Sequence, residues 1–439
     1  MTNGHAIPVV ALILPVRDEL ATSLAEEVLS QRDRSPRSPL VVSEPFHGQL
    51  LLPTDPYDDL SVMACLLNPR STGQEQSLAN LASDLGIKLS AFDHLHEGMG
   101  IEPTGPALVE ALMRIFVMLY RHLLHKGLSP VYETLERPLG LVLRRMEATG
   151  ISVVRTPVDL SAEKPETKRQ WSGWPTRFVT ATTGRVHPTW CQTSSITGRV
   201  TARNPPLQSL PKSLRESVVA PNGRVLVVAD YSEADFRVAA GLSGDAALLR
   251  MFRKGIDAYS QVGILAGLAA RGREREVGKF VALASLYGAT PRALADETKL
   301  PQSVIESMIA GYQDKFSTLW DWRQEQVESF RAGLEIRNPW GRLLKPTTEA
   351  QAINHLCQSS AADVLKTAML RLQDALPKRA QMVAQIHDEL LVECRDKDAD
   401  AVAKIMREQM TKSIPQLPVT LAVKIGAGKS WAEATANQQ

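Results

Sequence analysis

Two apolar runs, far apart in the chain, each carry an aspartate at a strand end, and no other feature constrains the fold as tightly. Val225 to Ala229 is a continuous apolar run that ends in Asp230, and Met382 to Glu393 reads as two short strands around a His387-Asp388-Glu389 turn. A short apolar run bounded by turn signals is a strand covered on both faces. Each segment therefore brings a carboxylate to the edge of a core, and the two acids meet if their strands pair in one sheet. Val419 to Ile425 supplies a further strand.

The 439 residues suffice for two or three domains with sizeable cores. With 44% hydrophobic and 22% charged residues the composition is that of an ordinary soluble protein. The longest apolar run, Pro8 to Val16, is too short to span a bilayer and lacks the flanks of a signal peptide, so it reads as a buried strand. No membrane association is expected. Cys65, Cys191, Cys357 and Cys394 are scattered, form no CxxC pair and suit a reducing, cytoplasmic setting. A formal charge of +2 excludes binding of nucleic acid by bulk electrostatics and leaves only local clusters for such a task.

Helical periodicity is present at Leu60 to Leu67, at Leu78 to Leu85 and from Leu108 to Leu119, which with the strand at Val9 to Val16 makes residues 1–130 an α/β region. An amphipathic helix with Leu135, Leu139, Leu143 and Met146 on one face ends at Gly150, a residue type that closes helices. Thr156 to Pro188 is rich in Pro, Thr and Trp and reads as irregular; residues 236 to 333 read as mostly helical.

Asp230 and Asp388 offer the hard oxygen ligands that suit Mg²⁺, and two such ions activate a hydroxyl and neutralise a triphosphate in nucleotidyl transfer. Taken singly, an aspartate at a strand end is more often a cap or turn residue. A third signal lies between them. Arg275, Lys279, Leu283 and Tyr287 recur every four residues and share one helical face. At about 1.5 Å per residue they span roughly 18 Å, the reach of a nucleoside triphosphate. Arg275 and Lys279 would hold phosphate oxygens and Tyr287 would stack on a base near Gly288, although an ordinary amphipathic helix with a solvated basic end has the same pattern.

The order of the three segments resolves the choice. Asp230-Tyr231-Ser232, then Arg275 and Lys279 with Tyr287-Gly288, then His387-Asp388-Glu389 resemble the three signature motifs of family A DNA polymerases. Thr197-Gly198-Arg199 with Asn204 to Pro211 resembles the segment before the first motif, and Asn354 and Gln358 ahead of Ala361-Ala362-Asp363 resemble the one before the third. The resemblance covers Pro130 to the C-terminus.

It implies an α/β (α+β) right-hand polymerase with an antiparallel-sheet palm and helical fingers. The implied division is an exonuclease-like domain over 1–130, a reduced thumb and connecting region over 131–196, palm over 197–258 and 339–439, and fingers over 259–338. Asp230, Asp388 and the carbonyl of Tyr231 would hold two Mg²⁺ ions, with Mn²⁺ as a substitute, and Lys279 would act as general acid. Arg275, Lys279, Leu283, Tyr287, Tyr259 and Asp235 would surround the dNTP; Arg199, Asn354, Gln358, His387 and Gly288 would contact primer–template DNA. A monomer acting on primer–template and dNTPs is expected.

The departures from the family pattern matter equally. Asp235 replaces the glutamate that crowds the sugar 2′ position, which implies weaker exclusion of ribonucleotides. Leu283 stands where an aromatic residue is usual, and Ala350 where an arginine is. Too few residues separate Gly150 from Thr197 for a long helical thumb, which implies short synthesis per binding event. The N-terminal region resembles a proofreading exonuclease whose metal-binding acids are missing: Val9 to Val16 carries no Asp-x-Glu, and Gly105 to Lys126 no aspartate. A single-subunit RNA polymerase is the rival reading, opposed by the acid at 235. A catalytically idle scaffold is the other, opposed by the joint presence of Asp230, Asp388 and Lys279.

Overall fold

The computed structural model describes residues 41–42, 58–69, 105–154, 160–161, 163–265 and 272–439, with side chains in the helix from 105 described from residue 115 onward. The expected strand Val9 to Val16 and the helical stretch Leu78 to Leu85 lie outside these residues.

Helix α1 (Leu60–Leu67) starts where the Asp59 carboxylate accepts the amides of Ser61 and Val62, a side-chain cap for otherwise orphaned donors. It packs on α2 (Gly105–His125), and Leu60, Met63, Ile115, Leu119, Leu123, Tyr132 and Leu135 make a small core of their own. The amphipathic segment ending at Gly150 is not one regular helix. A π-helical turn, Tyr132–Glu136, runs into α3 (Arg137–Thr149); Pro138 has no amide proton to donate, and the looser turn forms just ahead of it. Leu139, Leu143 and Met146 on α3 are buried as their spacing predicts.

The stretch expected to be irregular contains a short helix, α4 (Pro165–Gln170), followed by buried Trp171 and Trp174, whose rings meet edge to face 5.2 Å apart. The indoles bury enough apolar area to order a segment with no period of its own. A hairpin of β1 (Thr189–Cys191) and β2 (Thr201–Arg203) follows.

The central sheet is antiparallel, with strands β3 (Arg224–Tyr231), β4 (Gln381–Ile386), β5 (Glu389–Arg395) and β6 (Val423–Gly428) in the order β6-β3-β5-β4. Val227, Val228 and Ala229 are fully buried in its middle. The last strand begins at Val423, later than the expected Val419, because β3 ends at Tyr231 opposite Val423. The carbonyls of Thr420 and Ala422 are instead taken by Arg237 and the amide of Ser232.

Between β3 and β4 the chain is mostly helical, with a short antiparallel pair of Ile336–Arg337 and Leu343–Leu344 before the last helix: α5 (Ala234–Ser243), α6 (Ala246–Arg253), α7 (Ala258–Ile264), α8 (Glu274–Leu286), α9 (Pro291–Thr298), α10 (Gln302–Lys315), α11 (Ser317–Arg331) and α12 (Glu349–Ala375). Helix α13 (Ala399–Thr411) lies between β5 and β6, and α14 (Trp431–Ala436) follows β6. Helices α7 and α8 touch backbone to backbone through two glycines. A Cβ at Gly263 would lie 2.0 Å from the carbonyl of Glu274, and one at Gly278 would lie 2.0 Å from that of Tyr259. Only glycine permits that approach, and it fixes where the basic face of α8 points.

Candidate active site

Asp230 is the penultimate residue of β3, paired in register with Glu389 at the start of β5. The amide of Tyr231 donates to the carbonyl of Asp388 at 3.2 Å. Neighbouring strands lie about 4.8 Å apart, so two acids separated by more than 150 positions in the sequence occupy one strand end. Burial pushes Asp230 up to about 6, and the charge of Glu389 adds to this against Lys279 and Arg215. Burial also raises Asp388; Arg199 and Lys279 oppose it, and the charge of Asp230 reinforces it. Burial makes ionised carboxylates costly, and the nearby cations offset that cost only in part. Glu389 is otherwise engaged: it accepts from Trp431 Nε1 at 3.0 Å and pairs with Arg215 at 3.4 Å.

Three acids sense Lys279. Its charge lowers Asp230, Asp388 and Asp235 alike, which puts the ammonium of α8 opposite the strand end. Asp235 sits in the first turn of α5, its Oδ1 buried without a hydrogen-bond partner, and burial followed by the charge of Asp388 raises it. Tyr287 is pushed up by burial and also senses Asp235 and Arg199. The charges of Asp235, Asp388, Lys279 and Arg199 thus act on one another or on Tyr287, and Lys279 and Tyr287 line one groove.

The backbone around this space is strained. Among the described residues four non-glycine positions have positive φ, and Asn204, Glu233 and His387 are three of them. All three adjoin the motifs read from the sequence, where strain of roughly 1–3 kcal/mol per residue is held in place by surrounding structure. Gln385 Nε2 donates to the carbonyl of His387 at 2.6 Å and supports the turn. Burial followed by Arg199 lowers His387.

Arg199 follows Gly198, whose φ is 74° and whose Cβ, if present, would meet the Arg342 guanidinium at 2.9 Å. That guanidinium is buried and bound to Asp363 at 2.7 Å and to Glu136, which also binds Lys366. Burial pushes Glu136 up, but Lys366 and Arg342 outweigh it and hold the carboxyl well below the usual range. Gln192 Nε2 reaches the same carboxylate at 2.6 Å. A fully paired buried network thus seats the turn that carries Arg199. Composition and period contain no trace of it, since its members are far apart in the chain.

The remaining expected residues fall into two groups. Asn354 and Gln358 are half-buried on α12, one turn apart, and Asn354 Oδ1 is buried without a partner. Leu283 lines a groove of about 320 Å³ along α8 with Glu276, Lys279, Phe280, Ala284 and Tyr287. Gly288 has φ 96° and lies beside Arg323. Arg275, by contrast, is tied to Asp257 at 2.7 Å and is 54% exposed. Tyr259 is buried and stacked on Phe236 at 5.2 Å, so it forms a shelf 5.9 Å beneath Arg275 and 6.0 Å beneath Lys279. Phe280, 38% exposed in the groove, is a candidate contact that the four-residue spacing passed over.

Comparison with known proteins bears on the family and the fold. The family model described as DNA polymerase family A matches residues 171–433. The chain is 32% identical over 280 residues to "DNA polymerase I, thermostable" of Thermus caldophilus, covering 58% of this chain and 34% of that protein. It is 30% identical over 276 residues to "DNA polymerase I" of Treponema pallidum, covering 57% and 28%. The chain thus spans about a third of the length of these relatives. Its fold is similar to the POL domain of Pol1 from M. smegmatis, solved in complex with DNA primer-template and dNTP, with a TM-score of 0.73, 21% identity, and coverage of 93% of this chain and 89% of that one.

Proposed function

The chain belongs to DNA polymerase family A, and from that premise we propose that it adds dNTPs to a primer 3′ hydroxyl on a DNA template by two-metal nucleotidyl transfer. The observation that carries this reading is the meeting of Asp230 and Asp388 opposite Lys279. The acids fit divalent cations: both are buried carboxylates held above their ordinary range by burial and by neighbouring acids, a state that a bound cation relieves. Among the described residues no group of three or more His, Cys, Asp or Glu could hold a metal. Asp230, Asp388 and the Tyr231 carbonyl would therefore hold the ions with substrate oxygens and water completing the shell, the arrangement Mg²⁺ prefers, with Mn²⁺ as a substitute. When bound, the ions supply positive charge to the attacking and leaving oxygens.

The other roles belong to side chains. Lys279 neutralises the triphosphate and gives a proton to the departing pyrophosphate; Arg275 exchanges Asp257 for a phosphate oxygen, since an exposed ion pair is worth only about 0–1 kcal/mol. Tyr259 supports both from below. Asp235, Tyr287 and Leu283 bound the sugar and base, and Arg199, Asn354, Gln358 and His387 test the minor groove, whose acceptors look alike for every correct pair. The palm comprises 197–258 and 339–439, the fingers 259–338, and a reduced thumb and connecting region 131–196. Residues 1–130 are an exonuclease-like domain without nuclease chemistry. Short synthesis per encounter and no proofreading suit gap filling, repair or lesion bypass by a cytoplasmic monomer. Among the described residues no helix is long and apolar enough to cross a membrane.

Extension of a labelled primer–template with Mg²⁺ and either dNTPs or rNTPs separates the readings. Wild type extending with dNTPs, and an Asp388→Ala variant reduced by at least about 10³-fold, is the expected result. Extension with rNTPs alone would favour the RNA polymerase reading, and none with either would leave an idle scaffold.

A further inference from the structure

We propose that the N-terminal region serves the polymerase site as a brace, in which Asp58 is the residue that positions Arg199 for its contact with primer–template DNA. This rests on the polymerase reading, in which Arg199 tests the minor groove. The buried carboxylate of Asp58 bridges the two ends of the π-helical turn Tyr132–Glu136. It accepts from the hydroxyl of Tyr132, the first residue of the turn, at 2.8 Å, and pairs with Nε of Arg137, the residue after its last, also at 2.8 Å. Turns of this kind are rare and tend to lie at functional sites. The clamp fixes the direction of Glu136, the residue that closes the turn.

From Glu136 the constraint reaches Arg199 by two routes. The first is ionic: the Glu136 carboxylate binds Arg342, whose guanidinium lies against Gly198, the residue before Arg199. The second runs through the loop itself. Gln192 Nε2 donates to the Glu136 carboxylate at 2.6 Å and to its carbonyl at 3.0 Å, and the neighbouring Thr193 carbonyl accepts from Cys65 Sγ of α1 at 3.9 Å. Beyond Thr193 the loop is closed by its own bonds, from the Gly198 amide to the Ser195 carbonyl at 3.1 Å and between the Ser195 and Thr197 hydroxyls at 2.9 Å. A shift at its base therefore moves Arg199 as part of a stiff turn. Apolar packing follows the same line, since Leu60 and Met63 of α1 share a core with Tyr132, Leu135 and Leu343, the residue after Arg342. Buried ion pairs are costly to break and each member depends on the others, so the clamp at Asp58 and the seat of Arg199 stand or fall together.

The test is a double-mutant cycle on DNA affinity. Fluorescence anisotropy of a labelled primer–template is titrated with the full chain as wild type, Asp58→Ala, Arg199→Ala and the double variant, at a temperature where thermal unfolding shows each to be folded. Substitutions that do not communicate multiply their effects to within about two-fold. Each single variant is expected to bind about 10-fold more weakly, and the double variant no more than about 20-fold, where independent losses would reach about 100-fold. Asp58→Asn keeps an acceptor for the Tyr132 hydroxyl and is expected to restore part of the affinity, to a loss of about 3-fold. Losses that multiply, or binding like wild type by Asp58→Ala or by Arg199→Ala, would overturn the proposal. If Asp58→Ala does not fold, the cycle is run with Asp58→Asn in its place and decided by the same criterion. Wild type that binds the duplex yet extends no primer refutes the polymerase reading instead, because the cycle is read from binding alone.

Discussion

At the scale of residues, the account rests on carboxylates kept ionised at a cost. Asp230 has its folded pKa raised to about 6 from 3.8, so its charge opposes folding above pH 6 and stops doing so below about 4. In the absence of divalent cations, Asp230→Asn is therefore expected to raise stability at pH 8 by about 1–3 kcal/mol. The gain should fade as the pH drops from 6 to 4, and urea unfolding at the two ends checks it. A variant less stable than wild type at pH 8 would mean that the acid is satisfied by the protein itself. Asp235 supports a second expectation: restoring the longer acid with Asp235→Glu should tighten dNTP-over-rNTP discrimination by about 10-fold, a difference of about 1.4 kcal/mol between the two substrates. Single-nucleotide incorporation of matched dNTP and rNTP measures it, and unchanged discrimination would remove Asp235 from the sugar pocket.

At the scale of elements, what was legible in the sequence was what a strand or helix repeats. The apolar run before Asp230 and the paired runs around Asp388 predicted their strands, because a central strand needs both faces apolar. The four-residue spacing from Arg275 to Tyr287 predicted α8 for the same kind of reason. What could not be read is contact between distant positions. The π-turn before Pro138 and the order around Trp171 depend on packing, and the Arg342–Glu136–Asp363–Lys366 network joins segments that no local pattern links. Nor does spacing show that Tyr259 lies under α8 or that Phe280 faces the groove. Gly278→Ala would wedge α8 off α7; a loss of about 2 kcal/mol or more, with extension falling more steeply than stability predicts, is expected from parallel unfolding and extension assays. Phe280→Ala should raise the dNTP KM about 5–10-fold with a smaller effect on kcat, since stacking on a base is worth about 1–3 kcal/mol. An unchanged KM would return Phe280 to the ordinary exposed surface.

At the scale of the whole molecule, one sheet carries the acids, one helix set carries the cation that faces them, and a buried ionic network seats the turn that carries Arg199. If the proposed thumb and connecting region is confined to 131–196, single-encounter extension against a DNA trap is expected to release products after a few nucleotides; long products would contradict the reduced thumb. The central claim is that Asp230 and Asp388 jointly hold cations opposite Lys279. It is tested most directly by Mn²⁺ titration, followed by electron paramagnetic resonance, of wild type, Asp230→Asn and Asp388→Asn, each with a chain-terminated primer–template and the matched dNTP. Two protein-held ions in wild type, with weakened binding in both variants, is the predicted result. Manganese binding that neither substitution changes would contradict it.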